Sequence, residues 1–364
     1  MLDNKLIAVV VPCYNEVTQI ENVIRTMPEF VDRIIAVNDK SSDGTLDLLL
    51  KLQKEMETVD PIYTSKIDKS STVYNYAEEV VYEMDQKEKK YFTSSETLCD
   101  YQNSKRLVVI NHLKNGGVGA AIASGYKWCK DHQIDCTSVM AGDGQMDPAE
   151  LKSICLPVID ENVDYVKGNR LIHRSAWLVV PKIRYIGNSV LSILTKVASG
   201  YWHISDTQTG YTAISLKALR AIRLHKIYKS YGMPNDILVK LNIAFCSIRE
   251  VEIKPVYNVG EQSKMKIFKV IPRVSFLLIK SFFKRLWIKY LFRDFHPLFL
   301  LYNFSFLLTL MSIPFFIKIM KYIIWGRPLA DATLIVFMFL FIAAFQSFGF
   351  GMWMDIMDNE RLQK

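Results

Sequence analysis

Two late stretches of this chain, residues 297–317 and 332–354, contain no formally charged side chain. Each is close to the ~20 residues that an α-helix needs to cross a bilayer. Each is also apolar on every face, whereas a helix lying on a soluble core keeps one polar side. Buried core helices are the alternative for the pair. Neither stretch reads as a signal peptide, because both lie at the far end of a chain that opens with a strand-like run. Two such spans close together form a hairpin, with both flanks on one side of a membrane. They also account for a hydrophobic content of 50% over 364 residues, at the top of the soluble range.

Charge is localised as well. Residues 264–293 hold nine Lys and Arg and no acid, so the rest of a chain of net charge +8 sums to 8 − 9 = −1. In KMKIFKVIPRVSFLLIKSFFKRLWIKYLFR the bases alternate with Phe, Leu, Ile and Trp. Lys280/Lys284 and Arg285/Lys289 recur at i, i+4, as on an interfacial amphipathic helix. Adjacency to a span points to a lipid surface, and nucleic acid is not an expected partner. Positive charge beside the span places the N-terminal part in the cytoplasm, although Lys318, Lys321 and Arg327 in the hairpin loop weaken the asymmetry. The six cysteines show neither disulfide nor metal spacing, as expected of idle cytosolic thiols.

Short β-branched runs alternate with amphipathic stretches through the first half. LIAVVVP, RIIAVND, RLVVINH, CTSVMAG and VDYVKGNR read as strands, with helical patterns over 17–27, 45–56, 118–130 and from Pro148. That alternation predicts an α/β fold with a mostly parallel sheet, whose ligands collect at the carboxyl ends of strands. PCYNE, NDKSSDGT, KNGG and GDGQ all fall at such ends. Residues 61–105, rich in Ser, Tyr, Lys and Glu, show no strand pattern and read as an insertion with a short exposed helix over 80–90.

The motifs differ in what they require. In PCYNE the rigid Pro12, the ring of Tyr14 and the polar groups of Asn15 and Glu16 suit a base and ribose, and a plain turn capped by Asn15 explains them equally well. Asp39 stands at the next strand end, ahead of an Asp43-Gly44-Thr45 helix start. KNGGVGAAIASGY has the glycines of a phosphate loop, while close helix packing accounts for Gly119, Ala120, Ala123 and Gly125 just as well. VMAGDGQMDP brings Asp143, Gln145 and Asp147 to a strand end, with Ala141 where a two-carboxylate cation site would carry an acid. Asp236 in NDILVKL opens a helix, where a carboxylate suits the dipole. It is either a structural cap or a base.

Taken in order, PCYNE, NDKSSDGT, NGGVGAA, GDGQ, GNR, the Arg184/Asn188 pair, DTQTGY and Ser263-Lys264 resemble the family-2 glycosyltransferases of GT-A fold. Within them the resemblance is to the polyprenyl-phosphate sugar transferases related to dolichyl-phosphate mannose synthase. It covers roughly residues 5–265 without the insertion and continues into a two-span anchor. It implies a GT-A (Rossmann-like) domain over 1–262, a basic amphipathic juxtamembrane segment over 263–295, a two-helix transmembrane hairpin within 296–356, and a short tail over 357–364.

The same resemblance implies that Pro12, Tyr14, Glu16 and Asp39 hold the nucleoside. Asp143 and Gln145 match its metal-binding acid and amide, for a divalent cation such as Mg²⁺ or Mn²⁺, and Asp143 also faces the donor. Arg170 and Arg184 match basic residues near the phosphates, Asn188 could help orient the acceptor, and Lys264 falls on a loop that closes over the donor. DTQTGY is an active-site loop in the family, though Asp206 equally suits the cap of a helix over 213–222. An Asp in the setting of Asp236 is a general base in other members. Asn38 and Ala141 depart from the pattern, each standing where the family usually has an acid.

The implied reaction is an inverting transfer of a sugar from a nucleotide sugar to a membrane polyprenyl phosphate on the cytoplasmic face. The expected partners are therefore the donor, the lipid acceptor and the membrane, with the apolar helices as a route to a homo-oligomer. Two alternatives remain open at this point. One is a transferase extending a lipid-linked glycan at a sugar hydroxyl, and the other is a non-catalytic, membrane-anchored nucleotide-sugar binder.

Overall fold

The structure, a computed structural model, describes residues 2, 4–62, 75–98, 105–256 and 267–364. Its centre is an eight-stranded sheet of β1 (Ile7–Cys13), β2 (Arg33–Asn38), β3 (Ser95–Leu98), β4 (Leu107–His112), β5 (Cys136–Val139), β6 (Tyr165–Asn169), β7 (Thr212–Ser215) and β8 (Ile248–Glu252). The strand order is β3-β4-β2-β1-β5-β7-β6-β8. β1 runs parallel to β2 and β5, β2 to β4, and β6 to β8. β7 is antiparallel to both β5 and β6, so those two point the same way. The carboxyl ends of β1, β2, β4, β5 and β6 therefore share one edge.

The helices are α1 (Ile20–Arg25), α2 (Thr45–Glu55), α3 (Tyr76–Glu88), α4 (Val118–Asp131), α5 (Leu151–Asp160) and α6 (Ala176–Val179). After them come α7 (Lys182–Ser199), α8 (Leu216–Ala221), α9 (Met233–Ile243), α10 (Ile267–Trp287), α11 (Pro297–Trp325) and α12 (Asp331–Glu360). Alternate residues of a strand point to opposite faces. Ile7, Val9 and Val11 accordingly enter a core with α1, α2 and α5, while Ala8 and Val10 enter another with α4, α8 and α9. Every residue of β1 and β2 is buried, which is why their sequences are nearly continuous β-branched runs.

Two expectations need correction. β3 lies inside residues 61–105, where no strand was expected, and pairs antiparallel with β4. SETL is exposed over its first three residues, so backbone hydrogen bonds rather than an apolar face make the pairing, and periodicity carries no signal for it. The helix expected nearby is present as α3, without a buried residue.

The second correction concerns the basic segment. Lys280 and Lys284 are exposed, but Arg285 and Lys289 are fully buried rather than turned to lipid. α10 packs through Val274, Leu278, Phe282 and Leu286 and then widens into a π-helical turn over Ile288–Arg293. The buried pair meets acids of α12 instead, Asp355 and Asp358.

α11 and α12, of 29 and 30 residues, are long and apolar enough to cross a membrane. Only 22% and 17% of their most apolar stretches are covered by the rest of the chain, unlike core helices of soluble proteins, whose large apolar residues are mostly buried. They pack on each other at Leu308, Leu340 and Ala344, and Ser305 Oγ donates to the Ala344 carbonyl at 2.9 Å.

Candidate active site

The loops after β1 and β2 support each other. Asn15 takes a left-handed conformation, φ 56°, which asparagine tolerates. Its Oδ1 accepts from Ser42 N at 2.8 Å, and its own N donates to Ser41 Oγ at 3.0 Å. Glu16 N donates to Thr45 Oγ1 at 3.1 Å, and Val17 N to Asp43 Oδ2 at 3.1 Å. The PCYNE turn is thereby fixed, with Pro12 buried, Glu16 half-buried and the Tyr14 ring exposed at the edge.

Asp39 is buried under that edge. Its Oδ1 accepts from Gly116 N at 2.8 Å and lies 2.7 Å from His112 Nδ1, while Oδ2 accepts from Gly117 N at 2.7 Å. Burial pushes its pKa up, but the contacts with His112, Gly116 and Gly117 outweigh this and hold the carboxyl below the ordinary aspartate value. His112 is fully buried and its Nε2 lies 2.9 Å from Ser124 Oγ. It orients Asp39. Asn38 is also explained: its Nδ2 donates to Asn111 Oδ1 at 2.8 Å, its register partner on β4.

The glycines after β4 answer to packing. A Cβ on Gly117 would lie 2.4 Å from the Lys229 carbonyl oxygen, and one on Gly119 would lie 2.0 Å from that of Tyr228. Gly119 N donates to Lys229 O at 3.1 Å. The close approach of the 228–229 backbone requires these residues, and the N–H groups of Gly116 and Gly117 go to Asp39.

After β5, Asp143 is half-buried and its Oδ1 accepts from Gln145 N at 3.1 Å across Gly144, φ +72°. Asp147 has a different task. Its Oδ1 caps the following turn through Ala149 N at 2.9 Å, and its Oδ2 lies 3.6 Å from Lys254 Nζ. Gly142 N donates to Pro12 O at 3.2 Å, and Tyr211 OH donates to Asp147 O at 3.0 Å. The GDGQ turn thus sits between PCYNE and DTQTGY. Among the described residues, no group of three or more His, Cys, Asp or Glu could hold a metal ion. The donor set here is one carboxylate and one amide.

Arg170, just past β6, meets Asp206. Asp206 accepts from Arg170 Nε at 2.8 Å and Nη2 at 3.2 Å, and from the backbone N of Arg170, Gln208 and Thr209, each at 3.2 Å. Burial raises the pKa of Asp206, yet Arg170 beside it holds the carboxyl below its ordinary value. Underneath, Glu250 accepts from Ser205 N at 2.8 Å, Asp206 N at 3.0 Å and Asn169 Nδ2 at 2.7 Å. The buried Lys167 donates to the Thr209 carbonyl, and burial lowers its pKa to about 8. Asp206 does not cap α8, because Ser215 does, accepting from Ala218 N at 3.1 Å.

α7 is built inside out. Ser192 Oγ lies 3.1 Å from Thr207 Oγ1 of the DTQTGY stretch, and Thr195 Oγ1 donates to Asn235 Oδ1 at 3.2 Å. Gln208 Nε2 donates to the same Asn235 oxygen at 3.0 Å. Asn188, half-buried, lies one turn before Ser192. The opposite face presents Ile186, Val190, Ile193 and Leu194, which are 60, 51, 62 and 39% exposed. Their i, i+4, i+7, i+8 spacing makes a continuous apolar stripe; Trp177 and Leu178 of α6 are also exposed, and the Trp177 ring lies 5.2 Å from that of Tyr185 on α7. Arg184 lies in the N-terminal part of α7, but its side chain falls outside the described residues, as does all of Lys264.

Asp236, in the first turn of α9, is engaged elsewhere. Its Oδ2 accepts from Tyr228 N at 2.8 Å and pairs with Lys240 one turn on. Tyr228 leads through Lys229 to Gly117 and Gly119, so these contacts run towards the packing behind Asp39. Sequence reasoning assigned no role to His112, Glu250 or Tyr228. The apolar spacing within α7 was the one available signal for its outer face.

Residues 8–76, which include the PCYNE and NDKSSDGT turns, match the family Glycosyl transferase family 2. The chain is 27% identical over 256 residues to a UDP-N-acetylglucosamine–dolichyl-phosphate N-acetylglucosaminyltransferase of Methanococcus voltae, covering 70% of this chain and 87% of that protein. It is 24% identical over 171 residues to an uncharacterized protein of Methanocaldococcus jannaschii, covering 47% and 70%. The crystal structure of M. tuberculosis glucosyl-3-phosphoglycerate synthase aligns over 78% of this chain and 81% of its own at 15% identity, with a TM-score of 0.47. The match over residues 8–76 and the M. voltae relative make this chain similar to family 2 glycosyltransferases. It is a glycosyltransferase.

Proposed function

We propose that this protein transfers a sugar from a nucleotide sugar to a membrane polyprenyl phosphate on the cytoplasmic face, with inversion at the anomeric carbon. The observation that carries the acceptor is α7. Its polar face holds the DTQTGY stretch, and its outer face shows a stripe from Ile186 to Leu194 that water does not favour. A membrane-held acceptor accounts for such a face beside the chemistry. The acceptor in the name of the M. voltae relative, dolichyl phosphate, agrees. Exposed Lys280 and Lys284 next to the apolar hairpin support the cytoplasmic orientation.

In this reading an oxygen of the acceptor phosphate attacks the anomeric carbon. The bond from that carbon to the nucleoside diphosphate breaks, and the leaving group departs with the electron pair. One displacement inverts the centre. An ionised phosphate monoester needs no base, unlike a sugar hydroxyl. The pairing of Asp236 with Lys240 and Tyr228 N suits that reading. Arg170 supplies positive charge beside the departing diphosphate, and Asp206 keeps its fork in one orientation.

Asp143 and Gln145 fit a hard divalent cation, Mg²⁺ or Mn²⁺. Such an ion is commonly held by one or two carboxylates, with substrate phosphates and water completing its shell. When bound, it takes up negative charge on the leaving diphosphate. Ala141 does not prevent this, because Asp143 remains accessible at the edge.

The test pairs two variants of the purified full chain in a bilayer. Arg184→Ala should lower transfer to polyprenyl phosphate by about 100-fold while donor binding survives. Asp236→Asn should stay within about tenfold of wild type. The reverse order would favour the sugar-hydroxyl acceptor.

A further inference from the structure

A closed polar cluster joins the sheet to the hairpin, and the donor chemistry does not use it. Arg285, near the end of α10, has no exposed surface. Its Nη1 and Nη2 donate to the two oxygens of Asp355 on α12, both at 2.7 Å. Its Nε and Nη2 also donate to the carbonyls of Ala198 and Val197, both at 3.0 Å. Those carbonyls lie in the last turn of α7, where a helix leaves its C=O groups without internal partners and its dipole favours a cation.

Gly200 then ends α7 in the left-handed region, φ +79°, and a Cβ there would come within 2.4 Å of Arg285 Nη1. The π-helical turn carries two more groups inward. Tyr290 OH donates to Asp355 Oδ1 at 2.7 Å, and Lys289 Nζ lies 3.2 Å from both Asp358 Oδ2 and Asn242 Oδ1 of α9. Beyond α12 the chain returns to the edge of the sheet. Ile248 N donates to Leu362 O at 2.8 Å, Lys364 N donates to Ile248 O at 3.0 Å, and Leu362 joins the core under the sheet.

We propose that Arg285 is a positioning residue for the acceptor. Gripped by Asp355, it fixes the C-terminal end of α7 to the second long helix, and so sets where a membrane-held phosphate meets the N-terminal half of α7. This rests on the lipid-phosphate reading above. Positioning of this kind matters only for an acceptor that the membrane itself holds. A short, water-soluble isoprenyl phosphate reaches the same groups from solution.

The experiment uses the full chain in lipid nanodiscs, with Asp355→Asn and the double variant Arg285→Met/Asp355→Met. The double variant guards against misfolding, because exchanging a buried ion pair for apolar residues is often neutral for stability. Both should raise KM for a long-chain polyprenyl phosphate by about tenfold, with kcat and the donor KM little changed. Transfer to the short soluble acceptor should stay within about twofold of wild type. Amides at 196–200 should also exchange hydrogen faster in both variants, a readout that needs no acceptor. Equal loss with both acceptors, or unchanged KM together with unchanged exchange, would overturn the positioning role. Faster exchange in a protein whose wild type makes no lipid product would instead fault the lipid-phosphate reading.

Discussion

The molecule contains two Arg–Asp forks with similar bonding and different surroundings. At the sheet edge, Arg170 grips Asp206 but leaves 22% of its side chain exposed. At the junction, Arg285 and Asp355 are both 0% exposed. Both acids are fully buried, so the difference lies in the guanidinium. Arg170 holds Asp206 and keeps part of its side chain exposed. Arg285 points every donor at protein groups. The comparison teaches that a buried carboxylate can serve two ends. In our proposal it aims a charge at the donor in one place, and it joins helices in the other.

Variants can break that contrast. The largest expected effect is at the junction, where Asp355→Ala leaves Arg285 buried without its counter-charge. It should lower stability by about 3–5 kcal/mol, read as the thermal midpoint of the detergent-solubilised protein. A shift of a degree or less would mean the cluster is not structural. At the edge, Asp143→Ala should lower transfer by about 100–1000-fold, since a bound cation contributes several kcal/mol, with little change in melting. Chelation should do the same, and full activity in excess chelator would remove Asp143 and Gln145 as a cation site.

Arg170→Lys keeps the charge but loses the planar fork, so transfer should fall by about tenfold with stability nearly unchanged. If instead it melts like the junction variant, the two forks have one role. The smallest effect is at Asp39. Its folded pKa lies below the unfolded value of ~3.9, so its stabilisation is complete above that value and is lost as pH falls through the lower folded pKa. The stability gap between wild type and Asp39→Asn should therefore be constant near neutrality and narrow below about pH 4. A gap that widens in acid would contradict the sign of that shift.

The central sheet was legible because β1, β2 and β4 are buried on both faces and read as continuous β-branched runs. β3 was not, because SETL is an edge strand held by its backbone. Much of the candidate site was legible as loops at strand ends, and the commitments of individual side chains were not. Asp39 meets Gly116 and Gly117 across 77 and 78 positions, and Arg170 meets Asp206 across 36. The i, i+4 spacing of Arg285 and Lys289 fitted a lipid-facing helix until their partners, 70 and 69 positions away, came into contact. Local periodicity describes a face. It cannot say what covers that face when the cover comes from the far end of the chain.

The central claim is that the sugar goes to a phosphate held in the membrane. The most direct measurement is mass analysis of the lipid fraction after the purified full chain is incubated with Mg²⁺, candidate nucleotide sugars and a long-chain polyprenyl phosphate. The account predicts a new lipid, heavier by one sugar residue and joined through the phosphate, together with release of the nucleoside diphosphate. Sugar added instead to the hydroxyl of a lipid-linked glycan, with the polyprenyl phosphate untouched, would contradict it.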